Sequence, residues 1–307
     1  MRLVRILTIH EAVAALQAGE LVIVPTETVY GLAADATDVA AVKKVFEAKG
    51  RPANNPLIVH VAHLDQAREL ALIWPRFAEV LAEKFWPGPL TLVVAKKPVI
   101  GDLVTAGRPT VAVRVPSHEV LCEVLRLSGL SLAAPSANPF MGVSPTCTEM
   151  LDENLVHKVA GVLEGGRCEI GIESTVVDCT GPMPVVLREG KITLDDLRKF
   201  VPETVRADRD QISAAPGQHA RHYAPKTPLL LVDDLGDEPG VVFGPARVEG
   251  QTGTPEDPAE YMRILYFTLY EQDQKGLHEI YWECPPPSVE WSAVLDRLRR
   301  ASAQEPG

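Results

Sequence analysis

This sequence predicts a mixed α/β fold in two parts, and three observations carry that expectation. Short apolar runs of strand length alternate with helical periods, without a strict strand–helix–strand repeat. The 307-residue chain is about twice the usual length of one domain. Residues 202–225 are proline-rich and polar with no sustained apolar period, which marks a linker. The expected organisation is a first domain over 1–203, a linker over 204–226 and a small second α/β domain over 227–307.

The chain opens on LVRIL, which reads as a short strand, and continues into a helix. Thr8 and Glu11 form a capping-box pair at its start, Ala12 and Leu16 lie on its apolar face, and Gly19 stops it. LVIV at 21–24 is a continuous apolar run, hence a buried strand, and it feeds the loop PTETVYGL at 25–32. Val39, Val42, Val45 and Phe46 recur at helical spacing over 38–48, with Gly50 just past the end. PLIVHV (56–61) is the next strand, and the turn WPGPL leads into another, LTLVV (90–94). TVAVRVP (110–116) alternates: Val111, Val113 and Val115 share one face, Thr110, Ala112 and Arg114 the other. Ser117 is placed to cap a helix carrying Leu121, Val124 and Leu125. LSLAAPSAN (130–138) is a strand running into a loop, and Thr146 with Glu149 reads as another capping box. STVVDCT and PVVLREG are two further strands, and Thr193 with Asp196 opens a helix ending near Phe200. Beyond the linker, PLLLV (228–232), GVVF (240–243) and HEIYWEC are strands. Pro258 sits in the first turn of a helix over 257–276, and a last helix covers 288–301.

Composition narrows the function classes. Apolar residues make up 46% and charged residues 23%, the profile of an ordinary globular protein, which argues against general disorder. No stretch reaches the roughly 20 apolar residues that cross a bilayer. Glu11 interrupts the N-terminus before a secretory apolar region develops, so a cytoplasmic location is expected. The net charge is −11, divided as −4 over residues 1–205 and −7 beyond. Strong direct nucleic-acid binding is therefore not expected, although the first part has room for a local cationic pocket. The five cysteines show no metal-ligand spacing and read as reduced thiols.

KGRP at 49–52 places Lys49 and Arg51 just past a helix end, where two cations either complement the helix dipole or clamp phosphate oxygens. Arg114 lies inside an otherwise apolar strand and needs an anion, either a structural partner or a substrate carboxylate. His60 lies beside Val59 and Val61; an internally satisfied core histidine is the simpler alternative to a binding one. PSAN (135–138) and VSP (143–145) offer hydroxyl and amide groups, as turn formers or as ligand donors. GIESTVVD adds Ser174 and Thr175, and VVLREG ends with Arg188, which a surface strand end would also tolerate. No Ser-His-Asp order, HExxH, Walker A loop or GxGxxG stands out, and no covalent nucleophile. Strand-end loops offering cations and hydroxyls suit a phosphorylated ligand held by positioning and electrostatics.

In order and spacing, PTETVYGL, KGRPANNPLIVHV, WPGPLT, TVAVRVP, APSAN, SPT, GIESTVVD and VLREG resemble the threonylcarbamoyl-AMP synthase family with its YrdC-like catalytic domain. APGQHARHYAP in the linker and the later GTPEDPAEY resemble the two-domain form, so the resemblance spans nearly the whole chain. It implies a twisted mixed sheet around a concave basic cavity, followed by a small Rossmann-like domain. It implies a nucleotidyltransferase that joins L-threonine, bicarbonate or CO2, and ATP into threonylcarbamoyl-adenylate, releasing pyrophosphate. The product would feed N6-threonylcarbamoylation of the adenosine beside the anticodon in tRNA, completed by a separate tRNA threonylcarbamoyl transferase. Mg2+ would accompany ATP, and no residue is assigned as a metal ligand.

By this resemblance the KxR and SxN signatures fall on Lys49, Arg51, Ser136 and Asn138 as the catalytic set. Arg51, Asn55, Thr110, Ser136, Ser144 and Arg188 would line the ATP site, with Tyr223 of the linker reaching back over the nucleotide as a lid. Thr28, His60, Arg114, the backbone at Ala134, and Ser174 would line the threonine site, where Arg114 would pair the amino-acid carboxylate. Two departures stand out. The second domain is shorter than the family pattern, and its SVEWSAVLDRL lacks a glycine-rich lead-in. Glu164 stands where Asp is common. Two other classes compete. A YrdC-like O-carbamoyltransferase would use carbamoyl phosphate, but zinc-finger cysteine pairs are absent and RHYAP is present. A non-enzymatic RNA-binding module conflicts with the −11 charge.

Overall fold

The computed structural model describes residues 4–207 and 221–303. The apolar runs found along the first two hundred residues assemble into one eleven-stranded mixed sheet. Its order across the sheet is β11 (Val205–Arg206), β10 (Val185–Arg188), β9 (Thr175–Asp178), β5 (Leu90–Lys96), β6 (Thr110–Arg114), β3 (Ile58–His60), β7 (Leu132–Ala133), β2 (Gly31–Asp35), β1 (Val22–Val24) and β8 (Gly161–Val162). A short β4 (Ala71–Ile73) joins β5 antiparallel. Parallel pairs (β3 with β6, β5 with β9) stand beside antiparallel ones (β5 with β6, β1 with β2), as a chain without a strict repeat predicts.

Strand alternation explains the layering. Val22 and Val24 pack with Ala12 and Leu16 of α1 (Ile9–Gln17) and with Leu121, Val124 and Leu125 of α6 (Glu119–Ser128). Ile23 points the other way, into the main core with Val42, Val45 and Phe46 of α2 (Val39–Lys49). The Thr8–Glu11 capping box forms, and so does Thr193–Asp196 at α8 (Leu194–Arg198). Gly50 ends α2 in the left-handed conformation at φ 63°. Residues 64–85, which the sequence reading leaves unassigned, supply α3 (Leu64–Leu70), β4 and α4 (Arg76–Phe85).

Several local expectations are corrected. LVRIL yields only a bridge between Ile6 and Val162, because α1 begins two residues after the Leu7 amide reaches the Val162 carbonyl. Ser117 does not cap α6; His118 occupies the cap position without a side-chain bond. Thr146 and Glu149 form no capping box. The Pro145 and Thr146 carbonyls accept the Tyr30 and Cys168 amides, the Thr146 hydroxyl turns to Met150 Sδ, and only a single 3-10 turn follows at Thr148–Met150. GLAAD, at the end of the expected loop, is β2, a strand created by its neighbours rather than by its own composition. Val205–Arg206, inside the expected linker, pairs with β10. Residues 208–220, most of that linker, lie outside the described residues.

The second sheet is parallel throughout: β12 (Leu229–Val232), β15 (Ile280–Glu283), β13 (Gly240–Phe243) and β14 (Gln251–Thr254). α9 (Pro258–Asp273) connects β14 to β15, capped by Asp257 with Pro258 in its first turn, and α10 (Ser292–Ser302) follows. QTGT of β14 carries no apolar alternation and is a strand only through its ladder to β13. The apolar core of this sheet (Tyr261, Leu265, Trp282, Leu298) continues without a break into Val29, Ile170 and Ile172 of the first part and Tyr223. Among the described residues no helix is long and apolar enough to cross a membrane.

Candidate active site

Segments at the ends of β1, α2, β3, β6, β7, β9 and β10 surround one cleft with about 590 Å³ of empty space, open mouth included. Thr28, Arg51, His60, Arg114, Ala134, Ser136, Ser174, Arg188 and Tyr223 all stand on its wall. The wall has two cationic poles.

Arg114 ends β6 and is buried. Its Nε donates to the Gly88 carbonyl at 3.2 Å and its Nη1 to the Thr28 hydroxyl at 3.0 Å, while Nη2 lies 2.6 Å from Glu27 Oε1. Each terminal nitrogen of a guanidinium carries a second N–H, so the fork keeps donors for a ligand. Thr28 is held in turn by Thr26, hydroxyl to hydroxyl at 2.8 Å. Burial works against the Glu27 charge, but the Arg114 guanidinium outweighs it and holds the carboxyl below its usual range. Burial, with Arg114 pushing the same way and Glu27 opposing, lowers His60 to about 3, so its ring is neutral at pH 7. Its Nδ1 is enclosed with no hydrogen-bond partner among the described residues.

The other pole joins Arg188 and Arg51. Arg188 ends β10, its Nε donating to the Ser174 carbonyl at 3.1 Å and its Nη2 to the Ser174 hydroxyl at 3.3 Å. That hydroxyl also meets Thr91 Oγ1 at 2.8 Å. Arg51 reaches the Asn55 and Pro56 carbonyls at 3.3 and 3.0 Å. Desolvation lowers Arg51 to about 10; Tyr223 pulls the other way and Arg188 pushes it further down. An anion seated between the two guanidinium groups would relieve that mutual repulsion.

Five predicted residues stand off this wall: Lys49, Asn55, Thr110, Asn138 and Ser144. Lys49 is buried, and its Nζ donates to the Ser136 carbonyl at 2.5 Å and to the Asn138 carbonyl. It ties the C-terminal end of α2 to the loop after β7. Asn138 braces that second loop, donating to the Pro139 and Gly142 carbonyls at 2.8 and 2.9 Å. Asn55 is buried beside Arg51 and receives its Nε at the carbonyl. Thr110 pairs with Ala95 at the opposite end of β6 from Arg114. Ser144 is fully buried and donates to Glu173 Oε1 at 2.7 Å.

Comparison with known proteins places this geometry in a family. A family model described as "Telomere recombination" matches residues 14–190, and one described as "Threonylcarbamoyl-AMP synthase, C-terminal domain" matches 192–303. The chain is 38% identical to the threonylcarbamoyl-AMP synthase of Pyrococcus abyssi, over 96% of this chain and 94% of that protein. It is 43% identical to the Bacillus subtilis synthase, over 96% and 92%. The chain belongs to the threonylcarbamoyl-AMP synthase family. The crystal structure of P. abyssi Sua5 complexed with L-threonine superposes with a TM-score of 0.88 at 37% identity, covering 96% of this chain and 94% of that one.

Within this synthase fold, three acids and bases escaped the sequence reading. Glu27 backs Arg114; Glu173 and His222 stand on the cleft wall. A buried Arg114 announces that some carboxylate must approach it, but which one depends on topology. The arrangement can hold two anionic groups side by side. His60, lowered by burial to about 3, is a weak base, and Lys49 is committed to two carbonyls.

Proposed function

We infer that this protein is a threonylcarbamoyl-AMP synthase, joining L-threonine, CO2 or bicarbonate, and ATP into threonylcarbamoyl-adenylate and pyrophosphate. The observation that carries this reading is one cleft with two cationic poles, Arg114 with Thr28 and Arg51 with Arg188. Threonine sets its carboxylate on Arg114, bordered by Thr28, His60, the Ala134 backbone and Ser174. Its deprotonated amine attacks the carbon of CO2, forming the N–C bond and releasing a proton to water. A carbamate oxygen then attacks the α-phosphorus of ATP. The bond to the bridging oxygen breaks, and pyrophosphate leaves with the electron pair. Arg51 and Arg188 offset the phosphate charge, and Ser136 borders the nucleotide. Lys49, Asn138, Asn55 and Ser144 act behind the wall by holding its loops, and Thr110 borders the nucleotide from the start of β6.

His222 and Tyr223 stand on the cleft wall. We assign them to a lid over the nucleotide that keeps water from the adenylate. In this scheme residues 1–203 catalyse, 204–226 form the linker and lid, and 227–307 form the second domain. No group of three or more His, Cys, Asp or Glu among the described residues suits a metal ion. Mg2+ would arrive with ATP and offset charge on its phosphates. A separate tRNA threonylcarbamoyl transferase would consume the product. All five cysteines are free thiols, which fits a cytoplasmic setting.

The test is pyrophosphate release measured with each substrate omitted in turn, with the adenylate identified by mass spectrometry. Turnover is expected only with threonine, bicarbonate and ATP together. Release without threonine, or turnover driven by carbamoyl phosphate instead, would refute the reading.

A further inference from the structure

We propose that Glu173 is a positioning residue through which the second domain sets the geometry of the nucleotide pole. The proposal rests on the synthase reading above. Glu173 is 7% exposed and immediately precedes Ser174, which receives two donors from Arg188. Its carboxylate is divided between the two halves of the molecule. Oε1 accepts from Ser144 at 2.7 Å, within the first domain. Oε2 accepts from the Tyr266 hydroxyl of α9 at 2.9 Å and from Arg297 Nε of α10 at 3.3 Å, both in the second domain.

The second domain grips the other side of the same pair. Arg297 Nη1 donates to the carbonyl of Glu189 at 2.8 Å, and the Ser292 hydroxyl donates to Glu189 Oε2 at 2.5 Å. Glu189 immediately follows Arg188. The two gripped segments are in close contact, since a Cβ on Gly190 would lie 2.4 Å from the Glu173 carbonyl oxygen. The linker is seated on the same groups: Tyr223 stacks on Tyr266 at 5.6 Å between ring centroids, with the Arg297 guanidinium 5.5 Å from its ring. A buried carboxylate holding three donors has few alternative positions, because each lost donor leaves an enclosed oxygen unmet. The position of Ser174, and through it of Arg188, therefore depends on the second domain being docked. Neither Tyr266 nor Arg297 lines the cleft, so their influence on chemistry passes through Glu173, Glu189 and Tyr223, and Tyr266→Phe leaves the Tyr223 contact in place.

Tyr266→Phe in the full-length protein is the decisive variant, since it keeps the ring against Tyr223 and removes one donor to Glu173. Misplacement of a reacting group by about 1 Å costs on the order of a hundredfold in rate, so a partial shift is expected to lower kcat for pyrophosphate release about tenfold. KM for threonine should change less than kcat, because Thr28, His60 and Arg114 are untouched and only Ser174 is shared between the two poles. Arg188→Lys combined with Tyr266→Phe should lose less than the product of the two single effects. Glu173→Gln, which keeps an acceptor for Tyr266 and an amide that Ser144 can meet, should recover part of the activity lost in Glu173→Ala. Tyr266→Phe with wild-type kcat and KM would overturn the proposal while leaving the synthase reading standing. So would a loss that tracks only the unfolded fraction at the assay temperature, or strictly multiplicative effects. Wild-type protein without threonine- and bicarbonate-dependent turnover would overturn the reading itself.

Discussion

Removing Arg114 probes the electrostatics of the proposed threonine pole. In Arg114→Met, Glu27 remains 2% exposed and loses the counterion 2.6 Å away. Stranding one member of a buried pair costs about 3–5 kcal/mol. Glu27→Leu strands the guanidinium instead, with a similar penalty. The double variant Glu27→Leu/Arg114→Met replaces both charges with apolar side chains of similar volume, and such an exchange is close to neutral in stability. Urea unfolding at pH 7 should therefore show each single variant about 3–5 kcal/mol less stable and the double variant within about 2 kcal/mol of wild type. Binding separates fold from function. The folded double variant has no cation for the threonine carboxylate, a loss of about 2–5 kcal/mol, which is about 30- to 4000-fold in Kd. ATP affinity should change less than about threefold, since neither Arg51 nor Arg188 contacts Arg114. Calorimetric titration with each ligand measures both. Equal losses for threonine and ATP, or a double variant no more stable than the weaker single one, would refute the argument.

Three further outcomes are expected. Folded His60 resists protonation down to about pH 3, whereas an unfolded histidine takes up a proton below 6.5. The unfolded state then binds more protons between those values, so stability falls as pH drops through that window. His60→Gln should fall by about 1.4 kcal/mol less per pH unit between pH 6 and 4, and parallel urea curves would exclude this. Lys49→Met leaves the Ser136 and Asn138 carbonyls without their donor. A stability loss of about 2–4 kcal/mol is expected, with slower pyrophosphate release and retained threonine affinity; an unchanged rate would show that the loop holds its place unaided. Gly190→Ala puts a Cβ 2.4 Å from the Glu173 carbonyl and 2.8 Å from the Thr175 amide nitrogen. Backbone must move, at about 1–3 kcal/mol, and a wild-type melting temperature would contradict the packing described.

What the sequence made legible was local. Thr8 with Glu11 and Thr193 with Asp196 cap their helices, because a capping box involves residues three apart. Thr146 with Glu149 has the same spacing and fails, because amides from Tyr30 and Cys168 hold that segment extended. Alternation in TVAVRVP reports its two faces, whereas GLAAD and QTGT are strands only through their partners. Lys49 shows the same limit at the site. Its position at a helix end suggests a dipole partner or a phosphate ligand, and the fold instead brings two carbonyls to it from the loop after β7.

Buried charge follows a related rule. Arg114 sits between Val113 and Val115 on a strand, and Arg297 falls four residues after Ala293 and four before Ala301 on the covered face of α10. Arg114 interrupts an otherwise apolar strand, and Arg297 occupies a helix phase that the period reserves for the core, so the need of each for an anion is legible in the local pattern. The anions cannot. Glu27 lies between two threonines in a loop and Glu173 beside a serine in another, contexts that ordinarily face water. Each is buried because the topology delivers it to an arginine on a distant element, at 2.6 Å for Glu27 and 3.3 Å for Glu173. One half of each ion pair is therefore a property of the local pattern, and the other half is a property of the assembled fold. Glu27 holds Arg114, the cation of the proposed threonine pole, from behind the cleft wall, and Glu173 stands on that wall while bonded to Tyr266 of α9 and Arg297 of α10.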